Sequence, residues 1–237
     1  MKTIITKSYD DYCDIAANII FAAFLKDKRV NVSITAGKSP KDVFPRLKHL
    51  MTTYKDDLKN VHYYNFDNYE DYNPNGLGGG MNALKDQYLD LFEIPESNIH
   101  LMTTENYKEI NKDIENAGGL DLVLMGMGED GHFCANLPYG CKFNEETYIL
   151  PIDKSNPIYA AVYGDKPIPD YMASFGAGLI MKAKQIVLMI NGKSKASAVK
   201  KLIENDVTSD FPSTILKIHP NFILLLDEEA ASEINKD

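Results

Sequence analysis

Residues 120–132 have the sequence LDLVLMGMGEDGH, which carries the strongest indication of the fold class. Its first part, Leu120–Gly126, is a nearly continuous apolar run, which is typical of a β-strand that helices cover on both faces. The run leads into glycines that surround an Asp-x-His pair, Asp130 and His132. The stretch therefore predicts a buried strand of a parallel sheet, with ionisable side chains at its carboxyl end.

Short β-rich runs alternate with longer helical patterns along the rest of the chain. Strands are predicted at Lys2–Thr6, Asn31–Ala36, Val61–Phe66, Leu120–Gly126, Ile158–Tyr163, Gln185–Ile190 and Asn221–Leu226. Helices are predicted at Ser8–Leu25, Ser39–Tyr54, Leu77–Phe92, Asn106–Ala117, Met172–Ala183 and Lys195–Asn205. This alternation predicts a single α/β domain over residues 1–237, with a doubly wound, mainly parallel sheet and helices on both faces. Ligands of such sheets lie beyond the carboxyl ends of the strands.

The composition excludes several classes of function. The chain has 237 residues, three cysteines and a net charge of −9, so it needs no disulfide framework and would repel nucleic acid. No apolar run is long enough to span a membrane, and the first residues, MKTIITKSYDDY, lack the form of a secretory signal. We therefore expect a cytoplasmic protein with no nucleic-acid or membrane partner.

Asp130 and His132 are the first candidate catalytic residues. A carboxylate close to an imidazole can orient the ring and support proton transfer through it. A lone histidine more often has a structural role. The density of glycines, the position at a strand end and the adjacent acid together favour a catalytic pair here.

Two other interpretations of this segment are weaker. Residues 126–131 match the GxGxxG pattern of dinucleotide-binding proteins. The two carboxylates inside the segment would repel a pyrophosphate, however, and Pro138 comes too soon for a long following helix. A metal site is a further possibility, because Asp130, His132 and Cys134 alternate, but no fourth ligand follows at a suitable spacing.

Two strand-to-helix turns are candidate phosphate sites. The first contains Gly37, Lys38 and Ser39, where free amides at a helix start favour an anion. This turn also fits a plain helix cap with Ser39 as the N-cap. The second turn carries Lys193 and Lys195, which can supply positive charge in a chain with only two arginines. Solvated lysines are the alternative interpretation, but a cation there is unfavourable towards the helix dipole.

Asp67 is the remaining candidate for proton transfer. It follows the third predicted strand, where desolvation can bring the pKa of a carboxyl towards neutrality. The alternative is an aspartate of a turn that bonds nearby amides. Another ionisable residue, His219, precedes the last predicted strand and is assigned only a structural role.

Together these segments resemble the glucosamine-6-phosphate deaminase/6-phosphogluconolactonase family. The likeness covers nearly the whole chain and runs in order through TAGKSP, YNFDNY, LDLVLMGMGEDGHFCANLP, INGKSKA and LKIHPNFILLLD. The resemblance implies a Rossmann-like α/β fold and a small phosphorylated sugar as substrate, with no metal or organic cofactor. A homo-oligomer is compatible with it, because the family contains both monomers and larger assemblies.

The resemblance to the deaminase branch also implies a role for each candidate residue. Asp67 would move a proton between C1 and C2 of the sugar, while Asp130 and His132 would assist ring opening. Lys195 and the backbone of residues 37–39 would hold the phosphate. The implied reaction converts glucosamine 6-phosphate, or a related amino-hexose 6-phosphate, to the ketose 6-phosphate plus ammonia.

The chain departs from the deaminase pattern in two places. Deaminases usually carry Asn-Glu-Pro where this chain has Asn136, Leu137 and Pro138, and that glutamate belongs to their ring-opening relay. They also use an arginine on the phosphate in the region before Pro169, where this chain has none. The apolar Leu137 fits the lactonase branch, so lactone hydrolysis is one alternative, although Asp67, Asn68 and Tyr69 do not match the acid-plus-arginine motif that this branch carries after its third strand. The other alternative is a sugar-phosphate sensor without catalytic activity.

Overall fold

The computed structural model describes residues 1–36, 40–54, 58–69, 84–156, 163 and 167–234. In these ranges the strands are β1 (Lys2–Thr6), β2 (Val30–Ile34), β3 (Val61–Tyr64), β4 (Asp67–Tyr69), β5 (Ile99–His100), β6 (Leu122–Met125), β7 (Thr147–Pro151), β8 (Tyr171–Phe175), β9 (Ile186–Ile190) and β10 (Phe222–Asp227). The α-helices are α1 (Tyr9–Phe24), α2 (Val43–Tyr54), α3 (Tyr107–Asn116), α4 (Ala177–Ile180) and α5 (Ala196–Glu204). Short π-helical or 3-10 segments cover Lys85–Leu89, Glu96–Asn98, Lys193–Lys195 and Pro212–Ile218.

Seven of the described strands form one parallel sheet in the spatial order β1-β10-β9-β6-β2-β3-β5. From β2 the chain winds outward through β3 to β5. It then returns to the other side of β2 at β6 and continues through β9 to β10. The winding direction therefore reverses between β2 and β6. In open α/β sheets, ligands bind at such a switch point, beyond the carboxyl ends of the strands.

Alternate residues of the central strands enter two separate hydrophobic clusters. Val32 and Leu124 belong to the cluster that contains α1 and α2. Val123 and Leu188 belong to the cluster on the opposite face, which contains α3, α4 and α5. A strand buried on both faces needs apolar residues at successive positions, which explains the unbroken apolar runs of β6 and β9. The predicted doubly wound sheet with helices on both faces is confirmed.

Ser8, the first residue of the predicted helix Ser8–Leu25, is the N-cap of α1. The backbone N–H of Asp11 donates to the Ser8 hydroxyl at 3.0 Å, which satisfies one of the amide groups that a helix start leaves without a partner. Asp10 and Asp11 lie in the first turn, where the helix dipole favours negative charge. Caps of this kind contribute about 1 kcal/mol each, so local sequence is enough to define this boundary.

The predicted helix Met172–Ala183 is wrong in its first half. Residues 171–175 form β8, which pairs antiparallel with β7 on one side and with β4 on the other. Only the following residues are helical, in the short α4. Pairing with strands that are distant in the chain overrides local helical preference here. This three-stranded sheet was not predicted, and it places Asp67 at the start of β4 rather than in a loop after β3.

Three predicted elements extend beyond the described residues. The predicted strand Ile158–Tyr163 is described only at Tyr163, which is helical, so the prediction is wrong at that residue. The predicted helix Leu77–Phe92 is described from residue 84, where a π-helical turn covers Lys85–Leu89. The predicted helix Ser39–Tyr54 corresponds to α2, which begins at Val43. No helix among the described residues is long and apolar enough to cross a membrane.

Candidate active site

The candidate site lies beyond the carboxyl ends of β2, β6 and β9. Thr35, directly after β2, donates its backbone N–H to the carbonyl of Leu124 at 2.9 Å, so the ends of β2 and β6 lie side by side. The chain continues from β6 into the segment with Asp130 and His132, which places that pair at the switch point. The predicted phosphate residues Gly37, Lys38 and Ser39 lie outside the described part of the chain.

Asp130 and His132 form the hydrogen-bonded pair that the sequence predicts. Oδ1 of Asp130 lies 2.6 Å from Nδ1 of His132. It also accepts a hydrogen bond from the backbone N–H of His132 at 3.2 Å. A carboxylate partner places the ring proton on Nδ1, so Nε2 is the nitrogen available for proton exchange. The side chains of Asp130 and His132 are 52% and 41% exposed, which leaves both within reach of a small ligand.

The surroundings of Asp130 favour its charged form. Partial burial pushes the pKa of this carboxyl up, but the amide of His132 and the charge and hydrogen bond of its ring push it down further. The net effect holds the pKa of Asp130 below its usual value. Asp130 is therefore an anion at neutral pH and can stabilise an imidazolium when His132 takes up a proton.

The glycines of this segment form a tight turn around the pair. The N–H of Gly128 donates to the carbonyl of His132 at 2.9 Å, and the N–H of Gly131 donates to the carbonyl of Gly128 at 3.1 Å. A Cβ on Gly128 would lie 2.2 Å from Nδ1 of His132, and Gly131 has φ +85°. Residues 126–146 are all described and contain no helix, so the GxGxxG-like spacing does not form the helix start that a dinucleotide site needs.

Asp67 is a partly buried carboxyl whose surroundings favour the neutral form. Burial raises its pKa from 3.8 to about 7, against the opposing effect of hydrogen bonds from the Ser174 hydroxyl and the Ala135 amide. A group with a pKa near the working pH can both accept and return a proton. This is the property that the sequence suggested for an acid beyond a buried strand.

Ser174 connects Asp67 to the segment of the Asp130–His132 pair. Its hydroxyl donates to Oδ1 of Asp67 at 2.5 Å and accepts the N–H of Ala135 at 3.0 Å. Sequence reasoning missed Ser174 because it lies in the region predicted as a helix. The pairing of β4 with β8 brings it opposite Asp67, and no short sequence pattern signals that pairing.

Lys195 also contacts this segment. It ends the 3-10 turn Lys193–Lys195 after β9, and its Nζ donates to the carbonyl of Met127 at 3.0 Å. The neighbouring Lys193 is exposed. The structure therefore places one of the two lysines of this turn at the edge of the site.

The family is decided by comparison with known proteins. A model of the family described as "Glucosamine-6-phosphate isomerases/6-phosphogluconolactonase" matches residues 6–223. The chain belongs to this family. Among curated members, the glucosamine-6-phosphate deaminase of Shouchella clausii is 29% identical over 98% of this chain and 97% of its own length. The glucosamine-6-phosphate deaminase of Lysinibacillus sphaericus is 30% identical over 95% of this chain and 98% of its own.

Solved structures of this family share the fold over the full length of the chain. A monomeric glucosamine-6-phosphate deaminase superposes with a TM-score of 0.86 at 25% identity, covering 99% of this chain and 100% of the other. The 6-phosphogluconolactonase from Trypanosoma cruzi gives a TM-score of 0.75 at 16% identity, covering 99% and 97%. At 16% identity, the likeness to this lactonase shows only that the two chains share a fold.

In the segment where this family member departs from the deaminase pattern, Asn136 is buried and Leu137 is exposed. Asn136 is buried, and its Nδ2 donates to the carbonyls of Phe133 and Phe175 at 3.0 and 2.9 Å. Its Oδ1 accepts the N–H of Ala177 at 3.0 Å, so its amide holds the segment to α4. Leu137 is 45% exposed. Its side chain adds no titratable group to the Asp130–His132 pair.

Two further residues considered for metal binding or proton transfer in this family member, Cys134 and His219, lie in surroundings that fit a structural role. The described residues contain no group of three or more His, Cys, Asp or Glu side chains that could hold a metal ion. Burial, and then the charge of Asp67, raise the pKa of the Cys134 thiol well above its usual value, which keeps it protonated. His219 is buried, and its Nε2 donates to the carbonyl of Ala183 at 2.8 Å while Nδ1 accepts the N–H of Asn221 at 3.2 Å.

Proposed function

We propose that the chain is a glucosamine-6-phosphate deaminase, which converts this amino sugar phosphate to fructose 6-phosphate and ammonia. One observation carries the proposal: a carboxyl with a pKa of about 7, Asp67, is linked through Ser174 to the segment that holds Asp130 and His132. The deaminases of similar sequence and the deaminase of similar structure support the same activity.

Asp130 and His132 open the sugar ring. Nε2 of His132 takes the proton of the C1 hydroxyl and delivers a proton to the ring oxygen, and the charge of Asp130 stabilises the imidazolium between the two transfers. Asp67 then removes the C2 proton of the open-chain aldehyde as O1 takes up a proton, and returns the C2 proton to C1, which leaves a protonated imine at C2. Water adds to the imine carbon, ammonia leaves and C2 becomes a ketone, and the proton released in this hydrolysis replaces the one taken up at O1.

The phosphate of the substrate binds opposite the reacting carbons. We propose that Lys195 and the backbone of residues 37–39 hold it, since free amides and an ammonium are the usual partners of a phosphate ester. In the described structure the ammonium of Lys195 donates to the Met127 carbonyl, so it gains a charged acceptor when the phosphate arrives. A net charge of −9 makes such a local cation necessary for binding an anionic sugar.

Lys195→Ala is expected to weaken binding of the phosphorylated sugar more than it slows turnover. Loss of one charge-assisted hydrogen bond raises KM by about 10- to 100-fold, with kcat changed less than about threefold. Steady-state kinetics of ammonia release measure both constants. Lys193→Ala is the matched control, because it removes an exposed lysine of the same turn, and its KM should stay at the original value. An equal rise of KM in both variants would contradict a specific role for Lys195.

Lactone hydrolysis is a second candidate function, favoured by the apolar Leu137 at the position where deaminases usually carry a glutamate. In that reaction His132 would activate a water molecule towards the lactone carbonyl. The two functions separate in one experiment that supplies glucosamine 6-phosphate and 6-phosphogluconolactone in parallel. We expect ammonia from the first and no hydrolysis of the second above its spontaneous rate. The reverse pattern would replace the deaminase proposal with the lactonase.

A further inference from the structure

The hydroxyl of Ser174 donates a hydrogen bond to the Asp67 carboxyl, on which the Ala135 amide also acts. Ser174 is fully buried in the middle strand of the three-stranded sheet, with Asp67 of β4 opposite it on one side and Tyr148 of β7 on the other. Burial excludes water as a partner, so the protein itself must satisfy the hydroxyl.

The partners of Ser174 determine where its proton points. A serine hydroxyl has one hydrogen to donate, and the N–H of Ala135 occupies an acceptor position at 3.0 Å. Two acceptors then compete for that hydrogen: Oδ1 of Asp67 at 2.5 Å and the carbonyl of Phe175 at 3.3 Å. Oδ1 of Asp67 is the nearer acceptor, and when the carboxyl is ionised it also makes a charge-assisted hydrogen bond, which is the stronger kind. The hydrogen therefore points at Oδ1 of Asp67.

We propose that Ser174 is a positioning residue for proton transfer, which holds Oδ1 of Asp67 so that Oδ2 is the oxygen that exchanges a proton with the sugar. The inference rests on the proposed function for the exchange itself. A carboxylate free to rotate would present either oxygen at varying angles, and misplacement of a reacting group slows the transfer. The hydrogen bond survives the whole cycle, because Oδ1 stays an acceptor when the proton is on Oδ2.

Ser174 also ties Asp67 to the other half of the site. The amide that it accepts belongs to Ala135, three residues after His132 in the same loop. Movement of this loop would therefore disturb the contact that orients Asp67. The carbonyl of Ala135 accepts the hydroxyl of Tyr148 at 2.8 Å, which anchors the loop to β7 as well. One buried hydroxyl thus sets the position of the shuttle carboxyl relative to the ring-opening pair.

Removal of the hydroxyl should change the carboxyl in a defined direction. A donor to a carboxylate stabilises its charged form, so Ser174→Ala raises the pKa of Asp67, by about one to two pH units. The lost orientation lowers kcat by about 10- to 100-fold and leaves KM within about threefold. Ser174→Thr keeps the hydroxyl, so the pKa of Asp67 should stay at its value in the unmodified chain. Ser174→Cys replaces the hydroxyl by a slightly larger thiol, which is a weaker donor, and should give a smaller rise of the Asp67 pKa than Ser174→Ala.

The test is a carbon-13 NMR titration of chain labelled at the aspartate side-chain carboxyl carbons. The Asp67 signal is assigned by its disappearance in Asp67→Asn. Thr214→Val is the control, because Thr214 is equally buried and its hydroxyl bonds elsewhere, to Phe211 at 2.8 Å. We expect the Asp67 titration to move up in Ser174→Ala, less in Ser174→Cys, and not at all in Ser174→Thr or Thr214→Val.

An Asp67 titration that is unchanged in both Ser174→Ala and Ser174→Cys would overturn the inference, as would an equal shift in Thr214→Val. The titration needs no substrate, so it separates this inference from the proposed function. If the unmodified chain releases no ammonia, the proposed function fails while the titration still decides whether Ser174 holds Asp67. Kinetics of the same variants add the expected fall of kcat at constant KM.

Discussion

Asp67→Asn is expected to lower kcat for ammonia release by about 10²- to 10⁴-fold, which is the usual contribution of a general base. Asparagine keeps the shape of aspartate and can still accept the Ser174 hydrogen bond, but it cannot take up a proton. Binding of the sugar phosphate should therefore persist, which calorimetric titration of the variant measures. Full turnover in Asp67→Asn would show that Asp67 does not move the proton.

The same substitution should stabilise the folded chain at neutral pH. The pKa of Asp67 is about 7 in the folded state against 3.8 as its ordinary value, because burial disfavours the charge. The stability that such a group contributes is complete below pH 4 and is lost as the pH rises to about 7 and beyond. By pH 8 the loss is roughly 4 kcal/mol, and asparagine avoids it. The pH dependence of kcat/KM should show an acid limb near pH 7 from the same group.

Urea unfolding at pH 4.5 and pH 8 measures this effect. Asp121→Asn is the matched control, since Asp121 is also buried. Burial raises the pKa of Asp121, but the amide of Asn31 and the ammonium groups of Lys184 and Lys26 outweigh it, so the pKa is lowered overall. A group with a lowered pKa contributes stability above its unfolded pKa, so Asp121→Asn should destabilise the chain at pH 8. Destabilisation by Asp67→Asn at pH 8 would contradict the account of Asp67.

Gly128→Ala is expected to break the Asp130–His132 pair and to lower kcat by about 10²- to 10⁴-fold. The added Cβ would lie 2.2 Å from Nδ1 of His132 and 2.5 Å from Oδ1 of Asp130, so at least one of these two side chains must leave its present position. The matched control is Gly126→Ala, where the nearest atom to the new Cβ is the Met189 carbonyl oxygen at 3.9 Å. That distance is an ordinary van der Waals contact, and the control should keep its activity.

The measurement combines ammonia release with nitrogen-15 NMR of the His132 ring. In Gly128→Ala the Nδ1–H signal should lose the downfield shift that a carboxylate partner causes, and in Gly126→Ala it should keep it. Far-ultraviolet circular dichroism checks that both variants are folded. Equal activity in the two variants would show that the geometry of the pair has no part in turnover.

The parallel sheet could be predicted from the sequence because its strands carry their own signal. The predicted strand Lys2–Thr6 coincides with β1, and the predicted strand Gln185–Ile190 differs from β9 by one residue. The apolar run of β9 is buried on both faces, so a short window contains the information. The three-stranded sheet differs, because the β8 sequence YMASF resembles the start of a helix until β4 and β7 pair with it.

In the candidate site, too, contacts between neighbours in the sequence could be predicted, and contacts that depend on distant strands could not be predicted as easily. Local sequence was enough to predict the Asp130–His132 pair, since two residues in one turn of chain meet without help from the rest of the fold. The contact of Lys195 with Met127 depends on β9 lying beside β6, which the predicted parallel sheet makes reasonable. The contact of Ser174 with Asp67 could not be predicted from a short stretch of sequence, because the two residues are far apart along the chain. The catalytic and phosphate-binding roles of these residues stay predictions.

Incubation of the purified chain with glucosamine 6-phosphate, followed by quantification of ammonia and fructose 6-phosphate in the same sample, tests the deaminase proposal. We expect the two products in equal molar amounts, and His132→Ala should abolish both. Absence of both products while the sugar phosphate is bound would overturn the deaminase proposal and would leave a sugar-phosphate sensor as the better description. Product formation that is unchanged in His132→Ala would equally contradict the proposed role of the Asp130–His132 pair.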